Sequence, residues 1–176
     1  MSELQRAEAE GASTDGARVT FRPVQPGDEP FLLKVYSTTR ADELAQVPWD
    51  EEQRQAFLNM QFTAQQMHYQ SHHPEATHEI ILLNERPIGR VYIDRADHPI
   101  QILDITLLPE HRNKGIGTLI LKDLLAEAAS AGRSLTIYVE SFNPSLSLFE
   151  RLGFSRSREE GIYLLMEWRA EEEGKQ

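Results

Sequence analysis

Hydrophobic and polar positions in this chain switch between two periods. Val19, Phe21 and Val24, with Arg22 and Pro23 among them, suggest a first strand. Asp28 followed by Pro30 marks a helix start, because Asp can cap free N–H groups and Pro is tolerated in the first turn. Leu32, Val35, Tyr36 and Thr39 then recur at helical spacing. A second helix is expected after Pro48-Trp49-Asp50, with Asp50 as cap, Phe57, Met60, Ala64 and Met67 on one face, and an end before Pro74. Three strands follow, Glu79–Leu83, Ile88–Asp94 and Ile100–Leu108, with Asn84-Glu85-Arg86-Pro87 as the hairpin turn between the first two. After Pro109 a helix begins near Lys114, with Ile116, Leu119, Ile120, Leu124 and Ala128 as its buried stripe and Gly132 as its stop. Leu135, Ile137 and Val139 alternate as a strand. A short helix over Ser145–Leu152 precedes a last pair of strands near Phe154–Arg158 and Ile162–Trp168. This order predicts an α/β or α+β layered sheet of mixed direction.

Composition narrows the function classes. The 176 residues, 40% hydrophobic, suit one domain over residues 17–169, between a flexible leader, 1–16, and an acidic tail, 170–176. With 18 Lys and Arg against 28 Asp and Glu, the net charge of −10 argues against binding nucleic acid or a membrane surface electrostatically. The absence of cysteine excludes disulfides, thiolate metal sites and a cysteine nucleophile. No secretory signal and no apolar run near the ~20 residues of a membrane span is read, so a cytoplasmic location is expected. His68 and His72 are four apart with His73 beside them, but no Glu follows the first His as a zincin motif needs. A polar helix end is the reading there, and no metal is expected.

The segment that carries chemistry runs Leu107-Leu108-Pro109-Glu110-His111-Arg112-Asn113-Lys114-Gly115-Ile116-Gly117-Thr118. A strand ends, the chain turns, and two glycines open an amphipathic helix. Glycines let a ligand approach the backbone closely. The first N–H groups of a helix lack internal partners and carry partial positive charge, which suits a pyrophosphate. Arg112 and Lys114 can add full charges and Thr118 a hydroxyl donor. The plain alternative is a glycine-rich helix start without a ligand. The pattern fits neither a Walker phosphate loop nor the Rossmann fingerprint. A second stretch, Asn143-Pro144-Ser145-Leu146-Ser147-Leu148-Phe149-Glu150-Arg151-Leu152-Gly153-Phe154, reads as a short helix capped by Asn143 and stopped by Gly153.

Taken together, these two stretches and the Phe21-Arg22-Pro23 opening with Asp28 resemble the GNAT superfamily of acyl-CoA-dependent N-acyltransferases, over about residues 17–168. The resemblance implies a mixed, mostly antiparallel central sheet with helices on both faces. It implies acetyl-CoA as cosubstrate and a primary amine of a small molecule or protein as acceptor. By it, Arg112, Asn113, Lys114, Gly115, Ile116, Gly117 and Thr118 cradle the CoA pyrophosphate. Leu107 and Leu108 offer main-chain groups to the pantetheine arm as an added strand would, Asn143 hydrogen-bonds that arm, and the helix through Phe149 flanks the thioester.

Two positions depart from the family pattern. Phe149 stands where many members carry a tyrosine that protonates the leaving thiolate, and Gln101 and Leu103 stand where many carry an acidic residue or histidine. The candidate bases are Asp104 and Glu140. Asp104 has the alternative of pairing with a backbone or arginine group, and Glu140 that of a solvated strand end. In an alternating strand Asp104 points opposite to Leu103 unless a bulge rotates it. Tyr138 and Tyr163 are candidate acids, with packing as the plainer role. Trp49, Phe57, Met60, Phe62 and Tyr69 line either an acceptor pocket or the core. The leading function is acetyl transfer to an amine. The rivals are a CoA-binding module, such as a sensor or assembly partner with little or no turnover, and an interaction protein whose glycine turn binds nothing. An edge strand near Ile162–Trp168 is the candidate seam for a homodimer.

Overall fold

The computed structural model describes residues 13, 14 and 16–170. Most of the expected leader and all of the expected tail beyond Ala170 lie outside the described residues. Within the leader, Ser13–Thr14 (β1) pairs with the start of Ala17–Pro23 (β2). The helices Glu29–Ala45 (α1) and Glu51–His72 (α2) come next. They are followed by Thr77–Leu83 (β3), Arg86–Asp94 (β4) and Ile100–Leu107 (β5). The helix Ile116–Ser130 (α3), the strand Leu135–Glu140 (β6), the helix Leu146–Arg151 (α4) and the strands Ser155–Glu160 (β7) and Tyr163–Trp168 (β8) complete the chain. The sheet order is β1-β2-β3-β4-β5-β6-β8-β7, and every pairing is antiparallel except β5 with β6. The mixed, mostly antiparallel sheet with helices on both faces is as the sequence implied.

The two faces carry separate cores. Ile88, Val91 and Ile93 of β4, Ile100 and Ile102 of β5, and Leu135, Ile137 and Val139 of β6 pack against the stripe Ile116, Ile120, Leu121, Leu124 and Ala128 of α3 and against Phe149 of α4. On the other face Ile80 meets Leu32, Tyr36 and Leu44 of α1 and Leu58 and Phe62 of α2. Alternation along the strands separates the two sets.

Several expectations need correction. Of the α2 face expected to be buried, Phe57 does pack against this second core, but Ala64 is exposed and Met60 and Met67 are 59% and 64% exposed, so from Met60 onward that face is the outer one. The inward positions are Leu58, Phe62, Gln65 and Tyr69, spaced four, three and four apart, and this stripe turns from apolar to polar halfway along. Asp28 does not cap α1 with its side chain. Its carboxylate takes both guanidinium nitrogens of Arg22, at 2.7 and 2.8 Å, and the N–H of Gln25 at 2.8 Å. Those contacts hold the acid down at about 2. Asp50 does cap α2, in a reciprocal pair with Gln53 at 2.8 and 3.0 Å. The β3–β4 turn has two residues, Asn84 and Glu85, both left-handed (φ 48° and 67°), which suits the twist of a tight hairpin. α3 begins at Ile116 rather than near Lys114, because Asn113 (φ 58°) and Gly115 (φ 81°) are left-handed and cannot continue a helix. Finally, β8 is an interior strand bonded to β6 and β7, so the homodimer seam expected near Ile162–Trp168 is already occupied; the edge is β7.

Candidate active site

β5 and β6 run parallel but pair only at Ile100–Leu135, Gln101–Thr136 and Ile102–Ile137. β5 continues for five more residues bonded to β4 alone, so a gap opens between Leu103–Leu107 and Tyr138–Glu140. The parting coincides with a bulge. Tyr92 faces Asp104 while the next residue, Ile93, faces Ile102, which leaves Leu103 as the extra residue. Past the bulge the Asp104 side chain lies on the α2 face, where it meets Arg90, itself bonded to Gln65.

At the far end of the gap, the Leu108 N–H bonds to the Ile88 carbonyl at 2.8 Å. Main-chain direction alternates along a strand, so the N–H and C=O groups of Leu107 and Ile105 face the opening. The Leu107 carbonyl accepts from Nε of Arg112 at 2.8 Å. Leu108 also accepts from the His111 N–H, at 2.9 Å, so Leu107 is the better placed of the two to offer a free N–H. Past this point Gly115 caps α3, and the N–H groups of Ile116, Gly117 and Thr118 have no intrahelical acceptor. A Cβ built on Gly117 meets no atom within 4 Å, so packing within the chain does not explain why a glycine stands there. Lys114 and Asn113 are exposed at the turn. Arg112 reaches back to Leu107 and, at 3.0 Å, to the hydroxyl of Thr38 on α1, so it braces the loop against that helix.

Beyond β6, Asn143 uses Oδ1 to accept from the N–H and hydroxyl of Ser145 at 2.9 and 2.8 Å. Its amide nitrogen makes no hydrogen bond among the described residues. Phe149 is 3% exposed and lies edge-on to Phe154 at 5.4 Å, as a member of the core. Glu140 is half-buried at the end of β6, opposite Tyr163, and its carboxylate has no ion pair among the described residues. The Tyr138 hydroxyl accepts from Arg158 at 3.0 Å.

Asp104 sits in a polar cluster. One of its oxygens accepts from Nε of Arg90 at 2.7 Å and from Nη2, the other from the Thr106 hydroxyl at 2.7 Å. Arg90 is 1% exposed, its Nη2 also reaches Oε1 of Gln65 at 2.5 Å, and its Nη1 is buried without an acceptor. The Tyr69 hydroxyl donates to the Leu103 carbonyl at 3.0 Å, and its ring meets Tyr92 edge-on at 5.0 Å. Burial, with the Asp104 carboxylate close by, raises the Tyr69 phenol well above its ordinary value. His78 stacks on Tyr92 at 4.2 Å; burial first and Arg90 second push its imidazole down to about 4.

The remaining aromatic and histidine candidates are placed away from the gap or in the core. Phe62 is buried against Tyr36, Trp49 packs on Phe57 at 5.2 Å, and Met60 is exposed. His68 and His72 stack at 4.2 Å, while His73 pairs with Asp94 at 2.6 Å. Among the described residues no group of three or more His, Cys, Asp or Glu is placed to hold a metal. No helix among them is long and apolar enough to cross a membrane. Sequence reasoning missed Arg90 and Gln65. The available signal was a lone arginine inside the apolar run Ile88 to Ile93.

The acetyltransferase (GNAT) family model matches residues 37–154, more than half of the chain, and the chain belongs to that family. No curated protein matches the sequence. Solved structures share the fold at low identity. The PaiA N-acetyltransferase of Thermoplasma acidophilum, in complex with coenzyme A, is 19% identical, with TM-score 0.63 over 86% of this chain and 99% of its own. An acetyltransferase from Thermus thermophilus is 16% identical, with TM-score 0.63 over 86% and 97%. A GNAT family acetyltransferase from Elizabethkingia anophelis, with acetyl-CoA bound, is 18% identical, with TM-score 0.54 over 86% and 98%.

Proposed function

We propose that this protein transfers an acetyl group from acetyl-CoA to a primary amine of a small molecule or protein. The observation that carries the reading is the continuity of the gap with the glycine turn: an unpaired strand edge, Leu103–Leu107, leads straight to free helix N–H groups at Ile116–Thr118. A pantetheine arm can add to that edge through Leu107, while the pyrophosphate lies on the helix start, where Gly117 leaves room. Lys114 and Asn113 stand exposed at the turn, and Asn143, with Oδ1 held by Ser145, keeps its amide nitrogen for a hydrogen bond to the arm.

Three demands remain for the chemistry. An amine with a pKa near ~10.4 must lose a proton before attack. Glu140 is the better candidate base, since Asp104 is held by Arg90 and Thr106. The amine must lie in line with the thioester carbonyl, and positioning supplies much of the rate. The oxyanion needs a donor, which a main-chain N–H of the unpaired β5 edge can provide. Phe149 offers no proton to the thiolate, and a missing general acid is typically worth ~10²–10⁴-fold, so Tyr138 or Tyr163 takes that role or turnover is slow.

The same Phe149 favours a second reading, a CoA-binding module without turnover. Calorimetric titration with acetyl-CoA, repeated on Gly117→Glu, tests the shared part: binding lost in the variant is expected, and no binding by folded wild type overturns both readings. Thiol release from acetyl-CoA with a panel of diamines, amino sugars, amino acids and lysine peptides then separates them. Release is the expected result, and binding without release leaves the module.

A further inference from the structure

We propose that Gln65 and Tyr69, one turn apart on α2, are positioning residues that clamp the β5 bulge and so fix the strand edge on which acyl transfer takes place. The inference rests on the acetyltransferase reading and extends it to residues outside the gap.

Three observations converge on it. A bulge interrupts a ladder and leaves a residue unpaired, so something other than strand pairing must hold it. Here α2 holds it at two points. The Tyr69 hydroxyl bonds the carbonyl of the extra residue, Leu103, at 3.0 Å. Gln65 takes Nη2 of Arg90, whose guanidinium in turn grips the next residue, Asp104. The cost of the arrangement points the same way. Arg90 is 1% exposed with Nη1 unsatisfied, and a buried ion pair seldom adds net stability over apolar packing. Both α2 side chains lie on the inward stripe that continues from Leu58 and Phe62, so the helix changes from packing to hydrogen bonding where it crosses the parting of β5 and β6.

The chemistry served is alignment. The N–H groups on the open edge of β5 must sit within tenths of an ångström of the thioester oxygen to stabilise it. Tying the bulge to a helix keeps that edge from sliding by a residue, which would reverse the facing of every group beyond Ile102. Neither Tyr69 nor Gln65 needs to touch acetyl-CoA for this.

The test uses Tyr69→Phe, which keeps the ring against Tyr92 and removes only the hydroxyl, with Gln65→Leu, the double variant, and Met67→Ala on the outer face as control. With the best amine of the panel, each single variant should lose roughly 10- to 100-fold in kcat while the KM for acetyl-CoA stays within about twofold. The double variant should lose less than the product of the two, because both act on one element. A hydroxyl that serves only folding would lower Tm and leave kcat per folded molecule unchanged; that result overturns the proposal. Hydrogen exchange on the unliganded protein gives an independent reading. Amides of Asp104 and Thr106, which face β4 rather than the opening, should exchange at least about tenfold faster in Tyr69→Phe, with α3 unaffected, and equal rates overturn the clamp. If wild type releases no thiol with any amine, acetyl transfer has failed as a function, and exchange alone decides the clamp.

Discussion

The open edge of β5 has two ends built on opposite plans. At Leu107 the structure is made of backbone: a free strand edge, left-handed turn residues and a helix start, all within a dozen consecutive positions. At Leu103 it is made of side chains from three separate elements, with Gln65 and Tyr69 from α2, Arg90 from β4, and Asp104 and Thr106 from β5. The first end is nearly bare, with Arg112 on the Leu107 carbonyl, and open; the second is tightly cross-linked. A site that must admit a long cofactor and yet align one carbonyl needs both kinds of construction.

Substitution can sharpen that contrast. The largest effect belongs to the cross-linked end: Asp104→Leu leaves Arg90 buried without its counter-charge and should cost about 3–5 kcal/mol in denaturant unfolding. The double variant Arg90→Leu/Asp104→Leu should recover much of that loss. If the single change is instead as mild as a surface substitution, the two ends do not differ as described. At the bare end the signature inverts. Gly117→Ala meets no protein atom and should hold or raise stability by up to about 1 kcal/mol through helix propensity. Its CoA affinity in calorimetry should nonetheless fall, by roughly tenfold where the methyl group meets the pyrophosphate.

The third effect is a pH window. His78 packs against the cross-linked end with its imidazole depressed to about 4, whereas the unfolded chain titrates near ~6.5. Between those values the unfolded state binds more protons, so stability falls as pH drops from 6.5 towards 4. Tm measured across that range should show a shallower acid decline in His78→Phe than in wild type; parallel declines would remove His78 from the account.

The same contrast explains what could be read in advance. The glycine turn was legible because its chemistry is contiguous: strand end, cap and helix start follow one another from Leu107 to Thr118. Alternation was legible in β6, at Leu135, Ile137 and Val139, and helices on both faces followed from the family resemblance; in β4 the core residues Ile88, Val91 and Ile93 do not alternate, because the register with β3 shifts. The bulge end was not, because Arg90 and Asp104 are 14 positions apart and Gln65 is 25 from Arg90. The α2 face was misread for a related reason. Its inward stripe, Leu58, Phe62, Gln65 and Tyr69, mixes apolar and polar residues, whereas Met60, Ala64 and Met67 make an equally regular apolar stripe on the wet side. Periodicity reports amphipathic spacing and assumes that the buried face is the greasy one. A helix that bonds a polar network inverts that assumption over half its length.

The outer strand β7 has consequences for how copies of this chain meet. Every residue of Ser155–Glu160 is exposed, Arg156, Arg158, Glu159 and Glu160 crowd charge onto it, and its register with β8 slips between Arg156 and Arg158. Charge, brevity and irregularity are the devices by which a sheet margin refuses a further strand. At high concentration, a strand added from a second molecule would have to lie beside those charges on an irregular edge, so fibre growth through this margin is disfavoured by the protein's own sequence.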